Sequence, residues 1–506
     1  MNKKIGIIDL GSNSVRLVIF EVTQNGAFKL IDDISDTIRL SENMIDGKYL
    51  NDFAMRRALK TIKLFRKLCL SHNIPLKSII AVATAAMRKA ENREQFIKQL
   101  YNATGLSFRV LSGEEEALYV YKAVVSSIDV DSGIIVDIGG GSTEIIKFNR
   151  GTLKNYTSIP IGAVVATETY LEKDLIRPES LKLLEERLES ILGGYDWLTE
   201  GDDHILIGLG GTIRNMSKIH RRRCGYPLDI AHNYSIDIGD FNEIFDQLKS
   251  LNLEARKSID GMSSDRADII VGGLAILKSI IRLAGIKELL VSGSGLREGI
   301  MYEHILTAYR NRTFDSVLDF SLNNYMDIFN VQRAHADHVC YLSLELYDRL
   351  KPLHGLGAAE RKMLKAAALL HDTGISISYY DHCQHSYYLI LNSRLNGLTH
   401  RETVLIATIA ASHGKDKLKK NIYKSYEKIL LPGDTKLILK LSAILRLAEC
   451  LDRSETGVVK AIDCQASGDI IRLKTLCEGD AELEINLANE NSQVFKKLFK
   501  KQLVVL

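Results

Sequence analysis

Twice in this chain a short apolar run ends in an aspartate, passes through small residues and resumes as a second β-like run. The first copy reads I-G-I-I-D-L-G-S-N-S, with Asp9, Gly11, Ser12, Asn13 and Ser14, followed by a second β-like run over 15–22. The second reads I-I-V-D-I-G-G-G-S-T-E, with Asp137, Gly139, Gly140, Gly141, Ser142, Thr143 and Glu144, followed by 145–148. Both predict strand, tight turn, strand, because glycine and small polar residues tolerate the backbone angles of a hairpin turn. Helical periodicity occupies 51–72 through Leu59, Ile62, Leu64, Phe65 and Leu68. Short strands are predicted at 78–83 and 107–111. A helix follows near 178–192, then a strand-turn H-I-L-I-G-L-G-G-T-I-R, a helix near 266–284 and a strand K-E-L-L-V-S. From about residue 313 glycine thins out and long amphipathic helices dominate, among them 332–350 and 358–370. The last stretch carries strand patterns at 470–475 and 481–487 and a basic helix at 493–501.

A chain of 506 residues holds roughly three to four domains at about 150 residues each. Hydrophobic content of 46% and charged content of 25% are ordinary for a soluble globular protein. The net charge of +3 excludes neither a polyanion nor a small anion as substrate. Seven scattered cysteines without a C-x-x-C suit reduced thiols in a cytoplasm. The start resembles a signal peptide for only five residues before Asp9 and Arg16 interrupt it, and no later run approaches the roughly 18 residues needed to span a bilayer. A cytoplasmic protein with no membrane and no specific nucleic-acid partner is expected.

The turn chemistry points to phosphate. Turn amides left without side-chain cover converge on a phosphate oxygen, and an aspartate ending a buried strand holds magnesium through water. Two such turns in successive segments predict two related lobes closing on a phosphorylated ligand. The motifs D-L-G-S-N-S, T-A-A-M-R, S-G-E-E-E-A, D-I-G-G-G-S-T-E, G-L-G-G-T and G-L-R-E-G occur in the order seen in the exopolyphosphatase / guanosine-pentaphosphate phosphatase family, which residues 1–305 therefore resemble. One departure is Gly293, where some members carry aspartate in an S-D-G-A-L-R-E-G loop.

The resemblance implies an α/β protein of the actin-like ATPase superfamily. It would have two ribonuclease-H-like lobes at 1–128 and 129–305, an all-α HD-type domain at 313–460 and a small α+β C-terminal domain at 461–506. It also implies a homodimer. Glu116 resembles the catalytic base. Ser112 and Glu115 form an S-x-x-E capping box that leaves Glu116 free. Asp137 and Glu144, with Asp9, resemble magnesium or water-orienting carboxylates. Ser12, Asn13, Arg88 and Gly139–Thr143, with Gly210, Gly211 and Thr212, resemble the phosphate cradle; a planar guanidinium such as that of Arg88 grips two phosphate oxygens.

Two basic clusters bear on the substrate. Arg221, Arg222 and Arg223 follow the G-L-G-G-T turn and are expected at the cleft rim; Lys417, Lys419 and Lys420 lie in the helical segment. Either is an ordinary solvated face or part of a track for a long polyanion. His335, His371, Asp372, His385, His413 and Asp452 resemble the ligand order of HD-domain phosphohydrolases, and read equally as a second divalent-metal site or as a scaffold that has lost its metal. His382 stands three residues before His385, and the spacing of Cys383 and Cys450 does not suggest zinc. The leading expectation is a processive exopolyphosphatase using magnesium. Hydrolysis of guanosine pentaphosphate in the same cleft is the alternative. A sugar-kinase-like phosphotransferase and a non-catalytic nucleotide sensor complete the range; Glu116, which suits water activation, and the lack of a sugar-binding signature count against the first, and Glu116, Asp137 and Glu144 against the second.

Overall fold

The structure is a computed structural model and describes residues 2–42, 44, 48–200, 205–308, 316–414 and 424–506. Two compact units make up the chain, Met1–Val317 and Leu318–Leu506.

The first unit contains the same sheet twice. Strands β1 (Lys3–Leu10), β2 (Ser14–Val22), β3 (Phe28–Thr37), β4 (Ile79–Ala83) and β5 (Phe108–Val110) are ordered 3-2-1-4-5. Strands β6 (Ser132–Ile138), β7 (Thr143–Asn149), β8 (Thr152–Ile159), β9 (Ile205–Leu209), β10 (Tyr234–Asp237) and β11 (Glu288–Val291) are ordered 10-11-9-6-7-8. In both, three antiparallel strands form a meander and the first of them continues into parallel neighbours. The predicted hairpins at the two phosphate turns are therefore β1–β2 and β6–β7. Central strands buried on both faces need continuous apolar runs, which explains why Ile7, Ile8, Ile134, Ile135 and Val136 are all fully enclosed.

Helix Asp52–Ser71 covers one sheet, its start capped by Asn51 Oδ1 accepting from Ala54 N at 2.8 Å. Its Ala58, Ile62 and Phe65 pack against Ile8, Leu17 and Ile19. Helix Gly113–Val125 sets Ala117, Val120 and Val124 against Ile135, Ile146 and Ile207 of the other sheet. Helices Pro178–Leu192 and Ile270–Leu283 complete the larger core.

The second unit is helical apart from one small sheet. Helix Arg333–Arg349 buries His335, Ala336, Val339, Leu342 and Leu346 along one stripe. It packs with Ala358–Leu370 and Asp434–Cys450, both of which also pack on His400–Ala411, and His382–Asn392 lies on His400–Ala411. Strands β12 (Val459–Ser467) and β13 (Ile470–Cys477) form a hairpin, and β14 (Gln502–Val505) joins β13 in parallel.

Three expectations change. Residues 481–487, read as a strand, open the helix Glu482–Glu490. The alternation of A-E-L-E-I-N-L is short, its residues are good helix formers, and Asp480 Oδ1 accepts from Glu482 N at 3.0 Å to start the turn. Strand β14 was not anticipated. The strand read before G-L-G-G-T is present as β9, but the glycines read as a turn already form the start of helix Gly210–Cys224. Gly210 sits at φ +89°, where a Cβ would lie 2.4 Å from the Ile138 carbonyl oxygen. Lys417, Lys419 and Lys420 lie outside the described residues.

Candidate active site

The two phosphate turns face each other across a cleft in the first unit. A Cβ on Gly140 would lie 3.2 Å from Asn13 Cβ and Ser12 Cβ, and one on Gly141 would lie 2.7 Å from Ser12 Oγ, so only glycine lets the turns approach this closely. The cleft encloses about 130 Å³, lined by Asp9, Ser12, Asn13, Glu116, Asp137, Gly139–Ser142, Gly210 and Gly211 together with Arg16, Arg214, Arg266 and Arg297. Those four arginines were assigned no role in the sequence, although Arg214 and Arg297 stand inside or beside quoted motifs.

Strand register sets the carboxylates. Asp9 of β1 is paired with Arg16 of β2, and Asp137 of β6 with Glu144 of β7. Glu144 is buried behind Ser142; its Oε1 accepts from Ser142 Oγ and from Ser158 Oγ, both at 2.8 Å. Burial first, then repulsion from Asp137, pushes Glu144 up to about 7. Burial raises Asp137 to about 6, with Asp9 adding to it against Arg214. Burial raises Asp9 as well, and its Oδ1 is buried without a hydrogen-bond partner. Both polar atoms of the Asn13 amide are in the same condition. An unmet oxygen beside crowded carboxylates is the donor set a hard cation takes, so the residues fit magnesium.

Glu116 lies in the first turn of helix Gly113–Val125. The expected capping box forms, with Ser112 Oγ accepting from Glu115 N at 3.1 Å and Glu115 Oε2 accepting from Ser112 N at 2.8 Å. Arg88 Nη1 donates to Glu116 Oε2 and to the Leu111 carbonyl, both at 2.9 Å. Arg88, expected on phosphate, is thus the partner of Glu116 and lines a neighbouring cavity with Lys89, Ser158 and Glu168. Burial, then the nearby Glu144, raises Glu116 well above the usual carboxylate range in spite of Arg88.

Cations crowd as the carboxylates do. Burial and then Arg16 and Arg297 drive Arg214 down to about 9. An anion between these guanidiniums relieves both penalties. Thr143 turns its hydroxyl to the Ile161 carbonyl at 2.8 Å, and Thr212 packs where a Cβ on Gly273 would stand, so neither hydroxyl lines the cleft.

The cluster at 221–223 does not rim the cleft. It forms the last turn of helix Gly210–Cys224, whose first turn carries the glycines. Arg221 is buried, donating to Ser217 Oγ at 3.1 Å and Asp229 Oδ1 at 3.3 Å and lying over the Tyr234 ring. Arg223 pairs with Glu243, and Arg222 shares that face.

In the second unit the structure gathers His335, His371, Asp372 and His413 but not His385. His382 takes the expected place of His385, its Nε2 3.0 Å from His413 Nε2, and Cys383 Sγ stands 3.6 and 3.7 Å from those two nitrogens. The helix begins at His382, after Asp381 in the left-handed region, so His382 and not the residue one turn on points inward. Asp452 binds His335 Nδ1 at 2.8 Å, and the carboxylate facing the ring nitrogens is Glu449, 3.1 Å from His335 Nε2 and 3.2 Å from His371 Nε2.

Residues 18–308 match the Ppx/GppA phosphatase family and residues 317–492 match Ppx/GppA phosphatase, domain III. The chain belongs to the Ppx/GppA phosphatase family. It is a hydrolase of phosphoanhydride bonds. A guanosine-5'-triphosphate,3'-diphosphate pyrophosphatase from Pseudoalteromonas atlantica is 27% identical over 418 residues, 80% of this chain and 78% of the relative. The Ppx/GppA member of Aquifex aeolicus superposes with a TM-score of 0.52 at 28% identity, covering 62% of this chain and 100% of its own. An exopolyphosphatase from Cytophaga hutchinsonii shares the fold, with a TM-score of 0.56 at 24% identity over 60% of this chain and 98% of its own. Among the described residues of this Ppx/GppA protein, no helix is long and apolar enough to cross a membrane.

Proposed function

We propose that the cleft of the first unit removes the terminal phosphate of inorganic polyphosphate. The observation that carries this is the lining itself, in which glycine amides, buried carboxylates and four arginines surround one space. Phosphate-binding chemistry throughout suits a substrate that is phosphate throughout. Asp9, Asp137 and Glu144 would hold magnesium, which when bound neutralises charge on the phosphoryl oxygens. Arg16, Arg214 and Arg297, with the amides of Ser12–Asn13 and Gly140–Ser142, hold the terminal phosphate; the Gly139 amide closes the turn onto the Ser142 carbonyl at 3.0 Å. Water attacks its phosphorus in line with the bridging oxygen, and the bond to that oxygen breaks. Glu116 takes the proton of the water, and inorganic phosphate leaves together with a chain one unit shorter. The raised proton affinity of Glu116 favours this step, and Arg88 fixes the carboxylate through Oε2.

A second reading, removal of the 5'-terminal phosphate of guanosine pentaphosphate in the same cleft, is favoured by the similarity to the Pseudoalteromonas relative. Phosphate release from long polyphosphate and from guanosine pentaphosphate, side by side with magnesium, tests both. A higher kcat/KM on polyphosphate is expected. The reverse order reassigns the substrate, and no release from either removes the reaction.

The same reading takes 1–128 and 129–305 as actin-like lobes, 313–460 as an HD-type domain and 461–506 as a small α+β domain, in a cytoplasmic homodimer. With Arg221–Arg223 turned elsewhere, Lys417, Lys419 and Lys420 remain the track for a long chain. Replacing them together by alanine weakens long-chain binding and flattens its salt dependence, leaving short substrates nearly untouched.

A further inference from the structure

Four histidines of the second unit, His335, His371, His382 and His413, share one feature. His371 Nδ1 faces the Ala368 carbonyl at 2.7 Å, His382 Nδ1 the Tyr379 carbonyl at 2.9 Å, and His413 Nδ1 the Ala410 carbonyl at 2.5 Å. A carbonyl only accepts, so each Nδ1 carries the hydrogen and each neutral ring presents Nε2 as a lone pair. His335 is fixed the same way by Asp452. All four Nε2 atoms then converge on Asp372 and Glu449, which also only accept. Without a cation the space is lined by lone pairs, with His382 and His413 nitrogens 3.0 Å apart. Histidines whose far nitrogen is held by an oxygen are the usual arrangement of metal ligands.

The spacing agrees. Ligand atoms about 2.0–2.3 Å from a tetrahedral ion lie about 3.3–3.6 Å from one another. Around one centre, Cys383 Sγ is 3.6 and 3.7 Å from His382 and His413 Nε2, and Asp372 Oδ1 is 3.5 and 3.4 Å from the same two nitrogens. That oxygen is buried with no hydrogen-bond partner. Around a second centre, Asp372 Oδ2 is 3.8 and 3.5 Å from His335 and His371 Nε2, and Glu449 Oε2 is 3.1 and 3.2 Å from them. Gly374 makes the approach possible, because a Cβ there would lie 2.1 Å from the His382 carbonyl oxygen.

We propose that the second unit is a two-metal centre in which Asp372 bridges one ion held by His382, Cys383 and His413 and another held by His335, His371 and Glu449. The thiolate with two imidazoles selects a borderline-soft divalent ion such as zinc, cobalt or ferrous iron over magnesium. This departs from the motif order in the sequence, where His385 and Asp452 stood as ligands and Cys383 did not. It is independent of the reading of the cleft.

The test is cobalt titration of the full chain, stripped by chelator and held in excess magnesium so that the cleft is occupied. Two equivalents of cobalt are expected to bind, with a thiolate-to-cobalt charge-transfer band in the near ultraviolet. Cys383→Ser removes the band and weakens one equivalent at least tenfold; His335→Ala weakens the other and keeps the band. His385→Ala leaves both. Circular dichroism melts of each stripped variant separate loss of the site from loss of the fold, and Cys383→Ser changes little volume. No cobalt retained against magnesium, a band that survives Cys383→Ser, or loss of both equivalents in His385→Ala overturns the proposal.

Discussion

Each unit buries a group of carboxylates, and their surroundings drive them in opposite directions. In the first, Asp9, Asp137, Glu144 and Glu116 are all raised by burial, with repulsion from one another adding to it for the last three and from Glu298 for Asp9. In the second, burial alone would raise Asp372, Glu449 and Asp452, but in the metal-free protein the histidines around them, when they hold a proton on both ring nitrogens, more than reverse it, taking Asp452 down to about 2 and the other two below the usual carboxylate range. Acid count therefore says little about function. The first set is under-compensated, which suits a hard cation and, between its arginines, an anion. The second arrives with nitrogen partners in place, a donor set suited to softer ions.

The sharpest break of this comparison is to neutralise one acid in each group. Asp137→Asn abolishes magnesium-dependent phosphate release yet raises the melting temperature of the magnesium-free protein, because it removes a repelled charge. Asp372→Asn lowers the melting temperature, because it strips a partner from His371 and His413. Scanning calorimetry with a phosphate assay reads both, and equal signs would end the contrast. Next, Glu116→Gln lowers turnover by about 10²–10⁴-fold while Glu115→Gln stays near native; the reverse pattern moves the base. Arg214→Ala lowers kcat/KM by about 10–100-fold through a lost charge-assisted contact. Arg221→Ala instead costs roughly 1–3 kcal/mol of stability and leaves KM unchanged.

The smallest effect concerns pH. Asp137 and Glu144 titrate near 6 and 7 in the folded chain, against 3.8 and 4.5 for free side chains. Between those values the unfolded chain has already released protons that the folded chain keeps, so their contribution is full below about pH 4 and is lost as pH rises through 7. Each group is worth roughly 3 kcal/mol. Magnesium should thus raise the melting temperature more at pH 8 than at pH 5, by several degrees. A pH-independent shift would place the cation elsewhere.

Most of the cleft was legible because glycine turns and acids at strand ends constrain the backbone locally. Its arginines were not. Arg16 reads as one polar interruption in an apolar strand, and only its pairing opposite Asp9 turns it inward. Arg214 lies a single turn beyond a glycine pair that reads as a turn, and only the helix start at Gly210 carries it into the cleft. In the second unit the ligand order was visible but its phase was not. Choosing His382 over His385 depends on where one helix begins, and Glu449 over Asp452 on where another ends, at Cys450. Helix ends are set by caps and packing, to which periodicity is blind. The A-E-L-E-I-N-L segment failed for a related reason, since seven residues satisfy either period.

The matched hairpins carry a last consequence. Register places Arg16 opposite Asp9 and Glu144 opposite Asp137, at equivalent points of two copies of one sheet. Had both copies kept the same residue, the molecule would hold two interchangeable half-sites. One exchange of a base for an acid makes the two halves of the duplicated scaffold unlike. Under the proposed function, the arginine of one copy meets the phosphate and the extra acid of the other meets the cation, so that a single mismatched pair divides the labour of the cleft.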